Sequence, residues 1–431
     1  MTAHAGFPQE EFDRRLAKLR VCMDAAGLRG LLVAAPENVF YLTGLEHQGY
    51  FAYELLIVPL EGQPVLVTRA MERATVRDQV PWVRHVGYSD GIEPVPAPRD
   101  RSEDIVMTDM TEQGDAVGLR PWEMSYGVAV RGPVADAADV PVQSTLGALR
   151  DLGLDSGRVG IEQRSSFFPY AIAHGVISAL GDVDWVEAND MVADCRLVQS
   201  ALELRETRRA ATLTDSMMLS AIAAAGPGVS EREVMAALYD SMFRRGGTYP
   251  GFIPLVRSTR TIEHEHGTWT DGVLKARDVL FVELAGCVRR YHAPAGRLVF
   301  IGRAPQRSYK MQKVCEEAML GAAGAIGPGA RAGDVYRVWQ DTVDRAGLAG
   351  YSRHHCGYAV GIGFPPSWSG SGTPRGLRRG SDMELQSGMV FHLMSWLLRT
   401  GRGDSFLSDT VVVTDSGCEF LTNVDRSVTV R

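Results

Sequence analysis

The stretch GPGVSEREVMAALYDSMFRRG, residues 226–246, decides the fold because the chain repeats it. It aligns without gaps to GPGARAGDVYRVWQDTVDRAG, residues 327–347, with seven of 21 positions identical. Ser230 and Glu233 make a capping box, so each copy predicts a turn that opens a helix. A chance likeness between two amphipathic helices is the alternative. The unbroken register through turn, helix and final glycine favours an internal duplication, and we expect a site where the two halves meet.

The residues before the first copy predict an α/β domain. An amphipathic helical pattern covers residues 12–26, and a longer one begins near residue 201. Short apolar or alternating runs predict strands at 31–34, 54–60, 64–70, 83–90, 158–162 and 183–187. Proline-rich and glycine-rich segments within 91–150 indicate surface loops. We therefore expect an N-terminal α/β domain at residues 1–190 and a second domain, built on the duplication, at residues 191–431.

The composition is that of a globular protein and excludes several classes. Of 431 residues, 45% are hydrophobic and 23% are charged. A net charge of −7 and a pI near 5.9 argue against a nucleic-acid partner. No apolar run approaches the roughly 18 residues of a membrane span, and no signal peptide is visible. Six scattered cysteines without a CxxC pair favour free thiols. We expect a cytoplasmic protein that binds a small molecule, with no nucleic-acid or membrane partner.

Three further segments follow the duplicated helices in a recognisable order. They are FVELAGCVRRYHAPAGR at 281–297, GYAVGIG at 357–363 and SGMVF at 387–391. In this order the chain resembles the creatinase, prolidase and methionine aminopeptidase superfamily, whose fold is known as the pita-bread fold. The resemblance implies an α/β protein with an N-terminal creatinase-like domain followed by a pseudo-twofold pita-bread domain. It also implies a homodimer.

The residues at the positions of the superfamily's metal ligands indicate that its metal site is absent here. Metallopeptidase members hold two metal ions with five ligands, which fall here at Glu283, Pro294, Tyr358, Met394 and Ser408. Divalent ions of this kind need oxygen or imidazole ligands, and only Glu283 is a strong one. We therefore expect no metal and no cofactor, and a metal-dependent Xaa-Pro peptidase is the last of the functional alternatives.

A closer resemblance is to ectoine hydrolases, a metal-free group within the superfamily. The segments that carry it are HGTWTD at 266–271, VELAG at 282–286, RYHAPAGR at 290–297, PPSW at 365–368 and GMVFHL at 388–393. They imply metal-independent hydrolysis of a C–N bond in a small cyclic amidine, with ectoine opening to an N-acetyl-diaminobutyrate. Leu298, a longer loop at 369–374 and Met394 depart from the group's pattern, so the substrate could be a relative of ectoine.

Three residues are candidates for catalysis. Glu283 lies in the apolar run VLFVELAG, so its carboxylate is expected to be buried, as general base, nucleophile or partner of the cation. A structural carboxylate balanced by a nearby arginine is the alternative. His266 is a candidate proton shuttle because its ordinary pKa is close to neutrality. Asp271 is a second acid/base candidate, or else a turn residue before Gly272.

The substrate-binding candidates are aromatic or cationic. Trp269 and Trp368 would enclose a cationic ring, and Tyr358 would form a wall of the pocket. His392 is either a second acid/base group or a core histidine. The full set of seven is Trp269, Tyr291, His292, Arg297, Tyr358, Trp368 and His392.

Two expectations within this set concern the strand after Glu283. Alternation along the strand places Tyr291 on the same face as Glu283, and His292 on the other face. Arg297 would either hold a substrate carboxylate through two hydrogen bonds or balance the charge of Glu283.

Two other functions compete with ring opening of a cyclic amidine. One is hydrolysis of a linear guanidino or amidino compound, as in creatinase, whose histidine matches His266 but whose two carboxylates fall at Gly296 and Met394. The other is a non-catalytic binding protein derived from a peptidase.

Overall fold

The computed structural model describes residues 6–88, 139–372 and 374–431. The chain divides into two compact units, Met1–Ala193 and Asp194–Arg431, which are described separately below. The surface loops predicted within 91–150 lie, up to residue 138, outside the described residues. Among the described residues, no helix is long and apolar enough to cross a lipid bilayer.

The first unit contains a six-stranded mixed sheet with helices. Its strands are β1 (Gly30–Val33), β2 (Leu55–Pro59), β3 (Val65–Arg69), β4 (Arg84–Tyr88), β5 (Gly157–Ile161) and β6 (Val183–Glu187), in the spatial order β4-β3-β2-β1-β5-β6. The described helices are α1 (Gln9–Ala25), α2 (Pro36–Thr43), α3 (Arg73–Gln79), α4 (Asp139–Asp151), α5 (Tyr170–Ala179) and α6 (Met191–Leu197), the last running past the unit boundary. All six predicted strands and the predicted first helix are confirmed.

The second unit has one large sheet with two helix pairs. The helices are α7 (Ala201–Ala224), α8 (Glu231–Arg244), α9 (Gln306–Gly324) and α10 (Ala332–Val343). The strands are β7 (Leu255–Ser258), β8 (Val279–Val288), β9 (Tyr291–Phe300), β10 (His355–Ala359), β11 (Gly376–Arg378), β12 (Val390–Leu397), β13 (Ser405–Thr414), β14 (Gly417–Phe420) and β15 (Thr429–Val430). The main strand order is β11-β10-β12-β13-β9-β8-β7, while β14 pairs with β13 and β15 with β9.

The predicted pseudo-twofold arrangement is confirmed by equivalent turns. Gly228 and Gly329, which close the two GPG triplets, have φ of 87° and 82°, a conformation that favours glycine. The Gly228 amide donates to the Leu274 carbonyl at 2.8 Å, and the Gly329 amide donates to the Leu385 carbonyl at 2.9 Å. The two helices of each pair are therefore joined by the same hydrogen-bonded turn, and each pair leads into its own half of the sheet.

One row of residues crosses both halves of the sheet on the same face. Directly opposed residues of an antiparallel pair share a face. The register places Leu255 opposite Glu283, Glu283 opposite Gly296, Gly296 opposite Ser408, and Ser408 opposite Met394. Helices α7 and α9 pack on the opposite face, where their apolar side chains join those of the strands in two buried clusters. The face of Glu283 is thus left free of these helices.

Candidate active site

Glu283 lies near the middle of β8 as a buried carboxylate. Its exposed fraction is 6%, and no described residue donates a hydrogen bond to it. Burial raises its pKa to about 7, even though the positive charges of Arg257 and Arg353 lower it. Burying a carboxylate without hydrogen bonds costs free energy. This arrangement is therefore typical of a functional group that pairs with a bound ligand.

A chain of hydrogen bonds ends beside this carboxylate. The Trp368 Nε1–H donates to the Tyr358 hydroxyl at 2.9 Å, and that hydroxyl lies 3.1 Å from His392 Nδ1. Burial raises the pKa of Tyr358 and lowers that of His392 to about 3, so both stay neutral near pH 7. Tyr358 therefore keeps a proton, and the acceptor within reach is His392 Nδ1, which leaves the imidazole proton on Nε2.

The Nε2–H of His392 is the free end of this chain. Nε2 is buried without a hydrogen-bond partner among the described residues, and it lies 3.7 Å from Glu283 Oε1. The sequence left His392 as either an acid/base group or a core histidine. Its fixed neutral form makes it a hydrogen-bond donor towards Glu283 or towards a ligand bound there.

Aromatic rings also pack next to His392. The Trp368 ring is 6.1 Å from that of His392 and 5.1 Å from that of Phe252, in both cases edge-on or close to it. Phe252 in turn meets His266 at 6.2 Å. His266 is exposed, and it contacts Phe252, which in turn contacts Trp368. Its role as a proton shuttle stays a prediction.

Three members of the site were not found by the sequence analysis. Arg257 on β7 faces the same side as Glu283, since Arg257 pairs with Phe281, which lies two residues before Glu283 on β8. Arg353 stacks on Trp396, with its guanidinium carbon 4.7 Å from the ring centroid. His355 lies edge-on to Tyr358 at 5.4 Å, and burial lowers its pKa to about 4. The available signal was a charged residue, Arg257, directly after the apolar run FIPLV at residues 252–256.

The predicted faces of Tyr291 and His292 are wrong. Val288 pairs with Tyr291 and Cys287 with His292, so His292 shares the face of Glu283 and Tyr291 lies on the other. The reason is the two-residue turn between β8 and β9, which reverses the chain and shifts the alternation by one residue. Tyr291 donates its hydroxyl proton to Glu203 at 2.9 Å and is fully buried.

His292 has the right face but no free ring nitrogen. Its Nε2 accepts a hydrogen bond from the Gly251 amide at 2.7 Å, and its Nδ1 lies 3.2 Å from the Gly361 carbonyl. Burial lowers its pKa to about 3, which keeps it neutral. It holds two loops together, and its placement does not support substrate binding.

Both roles expected for Arg297 are wrong, because it lies on the face opposite Glu283. It pairs with Val282 and Leu407, and its nitrogens donate to Asp409 at 2.9 Å and to four backbone carbonyls. All five donors of the guanidinium are thereby used. Arg297 ties the last strands of the chain to the sheet.

Asp271 is also not brought into the site. Its side chain is 81% exposed and forms an ion pair with Arg232. The segment is held instead by the buried Glu231, which accepts from the Thr270 amide at 2.6 Å and from its hydroxyl at 2.8 Å. Trp269 is half-buried and packs against the apolar cluster that also contains Trp368.

Profiles of two known domain families match the chain. The creatinase/prolidase N-terminal domain matches residues 15–198, and metallopeptidase family M24 matches residues 205–415. The chain belongs to the creatinase/prolidase group of family M24. The predicted fold class, a creatinase-like domain followed by a pita-bread domain, is confirmed.

Relatives within this group cover the whole chain. An ectoine hydrolase from Halomonas elongata is 26% identical over 99% of this chain and 98% of its own length. A probable dipeptidase PepE from Mycobacterium bovis is 23% identical over 98% of both chains. The crystal structure of dipeptidase PepE from Mycobacterium ulcerans has a TM-score of 0.74 and 21% identity, over 98% of this chain and 99% of that one. The chain is thus an M24 hydrolase, and its substrate is the open question.

The metal ions of M24 metallopeptidases do not fit the residues present here. The five ligand positions carry Glu283, Pro294, Tyr358, Met394 and Ser408, of which only the first offers a carboxylate. In the described part of the chain, no group of three His, Cys, Asp or Glu side chains is placed to hold a metal ion. The donor set is that of a single carboxylate beside a phenol, a thioether and a hydroxyl.

Aromatic side chains line the same face next to Glu283. The Phe281 and Phe406 rings stack at 4.7 Å, and Trp396 packs on Phe406 at 4.9 Å. The Phe406 ring also fills the space that a Cβ at Gly296 would occupy. The floor of the site is therefore apolar, which suits an organic ring better than a hydrated cation.

Proposed function

We propose that the chain is a metal-independent hydrolase that opens the ring of a small cyclic amidine, ectoine or a close analogue, at a C–N bond. The observation that carries this proposal is the buried Glu283, to which no described residue donates a hydrogen bond, 3.7 Å from the Nε2 of His392. The likeness to an ectoine hydrolase over the whole chain supports the choice of substrate.

The chemistry of an amidinium suits these groups. It is a planar cation, so it would pair with the Glu283 carboxylate and lie against the Trp368 ring. Its central carbon is already electrophilic, and no metal is required to polarise it. Binding would also place a positive group in direct contact with the buried carboxylate.

Hydrolysis could then follow either of two routes. As general base, Glu283 takes a proton from water while the water oxygen bonds to the amidine carbon. The same proton passes to the leaving ring nitrogen as the C–N bond breaks, and the hydroxyl proton of the intermediate follows to that nitrogen, which yields an amide and an ammonium group. As nucleophile, Glu283 bonds to that carbon itself while the ring C–N bond breaks, and the leaving nitrogen takes the proton of the other amidine nitrogen. Water then cleaves the bond to Glu283 and yields the same amide and ammonium group. Rapid quenching and mass spectrometry distinguish the routes, because only the second adds mass to the peptide that contains Glu283.

The proposal is tested with chelator-treated protein and ectoine, followed by proton NMR. We expect ring opening to an N-acetyl-diaminobutyrate at a rate that chelation leaves unchanged within about twofold, and that added Mn²⁺, Co²⁺ or Zn²⁺ does not raise. Activity that appears only after metal is added, or only on an Xaa-Pro dipeptide, would contradict it.

A linear guanidino compound is the second candidate, because it presents the same planar cation to Glu283 and Trp368. Creatine and guanidinoacetate are therefore included in the same NMR assay. Release of urea from either, with ectoine left intact, would move the assignment to this class.

The pH dependence of kcat/KM should report Glu283. Since its pKa is raised to about 7 and both routes need the ionised form, kcat/KM should rise about tenfold per pH unit below 7 and level off above it. In kcat the rise should occur at lower pH, because a bound amidinium favours the carboxylate. The check is steady-state kinetics from pH 5 to 9, and a kcat/KM that is flat over this range would contradict the assignment.

A further inference from the structure

Arg257 and Glu283 project from the same face of neighbouring strands. Leu255 pairs with Glu283 and Arg257 pairs with Phe281, so Arg257 is the diagonal neighbour of Glu283. Side chains in this relation are roughly 7–8 Å apart at their base, within the span of one small ligand.

The guanidinium of Arg257 is buried, and two of its three nitrogens have no hydrogen-bond partner among the described residues. Its exposed fraction is 0%. Nη1 donates to the His264 carbonyl, whereas Nε and Nη2 have no hydrogen-bond partner among the described residues. The guanidinium carbon lies over the Phe281 ring, 4.2 Å from the ring centroid. Arg297, which is equally buried, has acceptors for all five donors.

The two unused nitrogens form one edge of the guanidinium. The hydrogens on Nε and Nη2 point in parallel, and this edge matches the two oxygens of a carboxylate. Glu283 does not fill it, since the described residues include no ion pair between the two. Glu265, the acid of the segment that contacts Arg257, is already paired with Arg353 at 3.5 Å.

We propose that Arg257 binds the carboxylate of the substrate through its Nε and Nη2 edge, and so selects molecules that carry both an amidine and an acid group. This inference rests on the proposed function, whose amidine it places at Glu283. The role once expected of Arg297 thus passes to Arg257, which lies on the correct face. Arg257 is a specificity-determining residue, because an amidine without an acid group leaves its edge unpaired.

The test compares ectoine with 2-methyl-1,4,5,6-tetrahydropyrimidine, the same ring without its carboxylate. We expect the wild type to prefer ectoine by roughly 10- to 100-fold in affinity and in kcat/KM. Arg257→Met should remove this preference by weakening ectoine alone, and Arg257→Lys should restore part of it. Arg244→Met is the control, because Arg244 is an exposed residue that pairs with Asp240 on the same helix.

Calorimetric binding separates this inference from the reaction itself. Preferential binding of ectoine that Arg257→Met abolishes supports the inference even if nothing is hydrolysed, in which case only the proposed reaction fails. Equally weaker binding of both rings to Arg257→Met would overturn the inference and leave Arg257 a structural residue.

If neither ring binds the wild type, acetate must still raise the melting temperature of the wild type but not that of Arg257→Met. Absence of that difference also overturns the inference. Should Arg257→Met fail to fold, the Arg257→Lys variant and the wild-type preference decide.

Discussion

Glu283→Gln is expected to lower kcat about 10³-fold or more while leaving the fold intact. The amide is nearly the same size as the carboxylate, but it can neither accept a proton from water nor attack the amidine carbon. Because no described residue donates a hydrogen bond to Glu283, the exchange disrupts no contact that holds the sheet. The measurement is single-turnover hydrolysis of ectoine by wild type and variant, with circular dichroism as the check on folding.

Asp271→Asn is the matched control for this result. Both residues are acids that the sequence singled out for acid/base chemistry, but Asp271 is exposed and paired with Arg232. Its amide variant should keep kcat within about twofold of the wild type. If instead Asp271→Asn were inactive and Glu283→Gln active, the site would have to be moved to the 266–271 segment.

The fold was predictable because two kinds of signal repeat along the chain. Alternating or continuous apolar runs marked each of the six described strands of the first unit. The duplicated GPG helices indicated two related halves without any knowledge of the sheet. What the sequence did not contain is the register between strands, since this depends on the packing of segments far apart in the chain.

Register is also the reason that part of the site was misplaced. Glu283, Tyr358, Trp368 and His392 were found from motifs, and they do come together. Side-chain direction after a hairpin depends on the length of its turn, and the two-residue turn reversed the faces of Tyr291 and His292.

The naming of Arg297 and the omission of Arg257 had the same origin. Both Arg257 and Arg297 sit in apolar strands, and only pairing shows that the former faces Glu283. Asp271 was misplaced for another reason. Its direction is set by Glu231, a distant carboxylate that binds the preceding Thr270, and no local pattern in the segment reveals it.

Glu283→Gln is also expected to make the protein more stable at alkaline pH, by about 3 kcal/mol at pH 8. The pKa of Glu283 is raised from an ordinary value of 4.5 to about 7 in the folded protein. Below pH 4.5 the group is protonated in both folded and unfolded chains and does not affect their balance. Between pH 4.5 and 7 the unfolded chain gives up the proton first, so the wild type loses stability as the pH rises, and above 7 the loss is constant.

The variant carries no such charge, so its advantage should grow from near zero at pH 4.5 to its full value at pH 8. The measurement is the difference in unfolding free energy between the two proteins, from denaturant titrations at both pH values. Asp271→Asn should show no comparable gain, because Asp271 is exposed. A Glu283→Gln protein less stable than the wild type at pH 8 would mean that the carboxylate stabilises the fold. In that case Glu283 would be a structural residue, whereas a gain in stability with a loss of turnover identifies a charge kept for the reaction despite its cost to the fold.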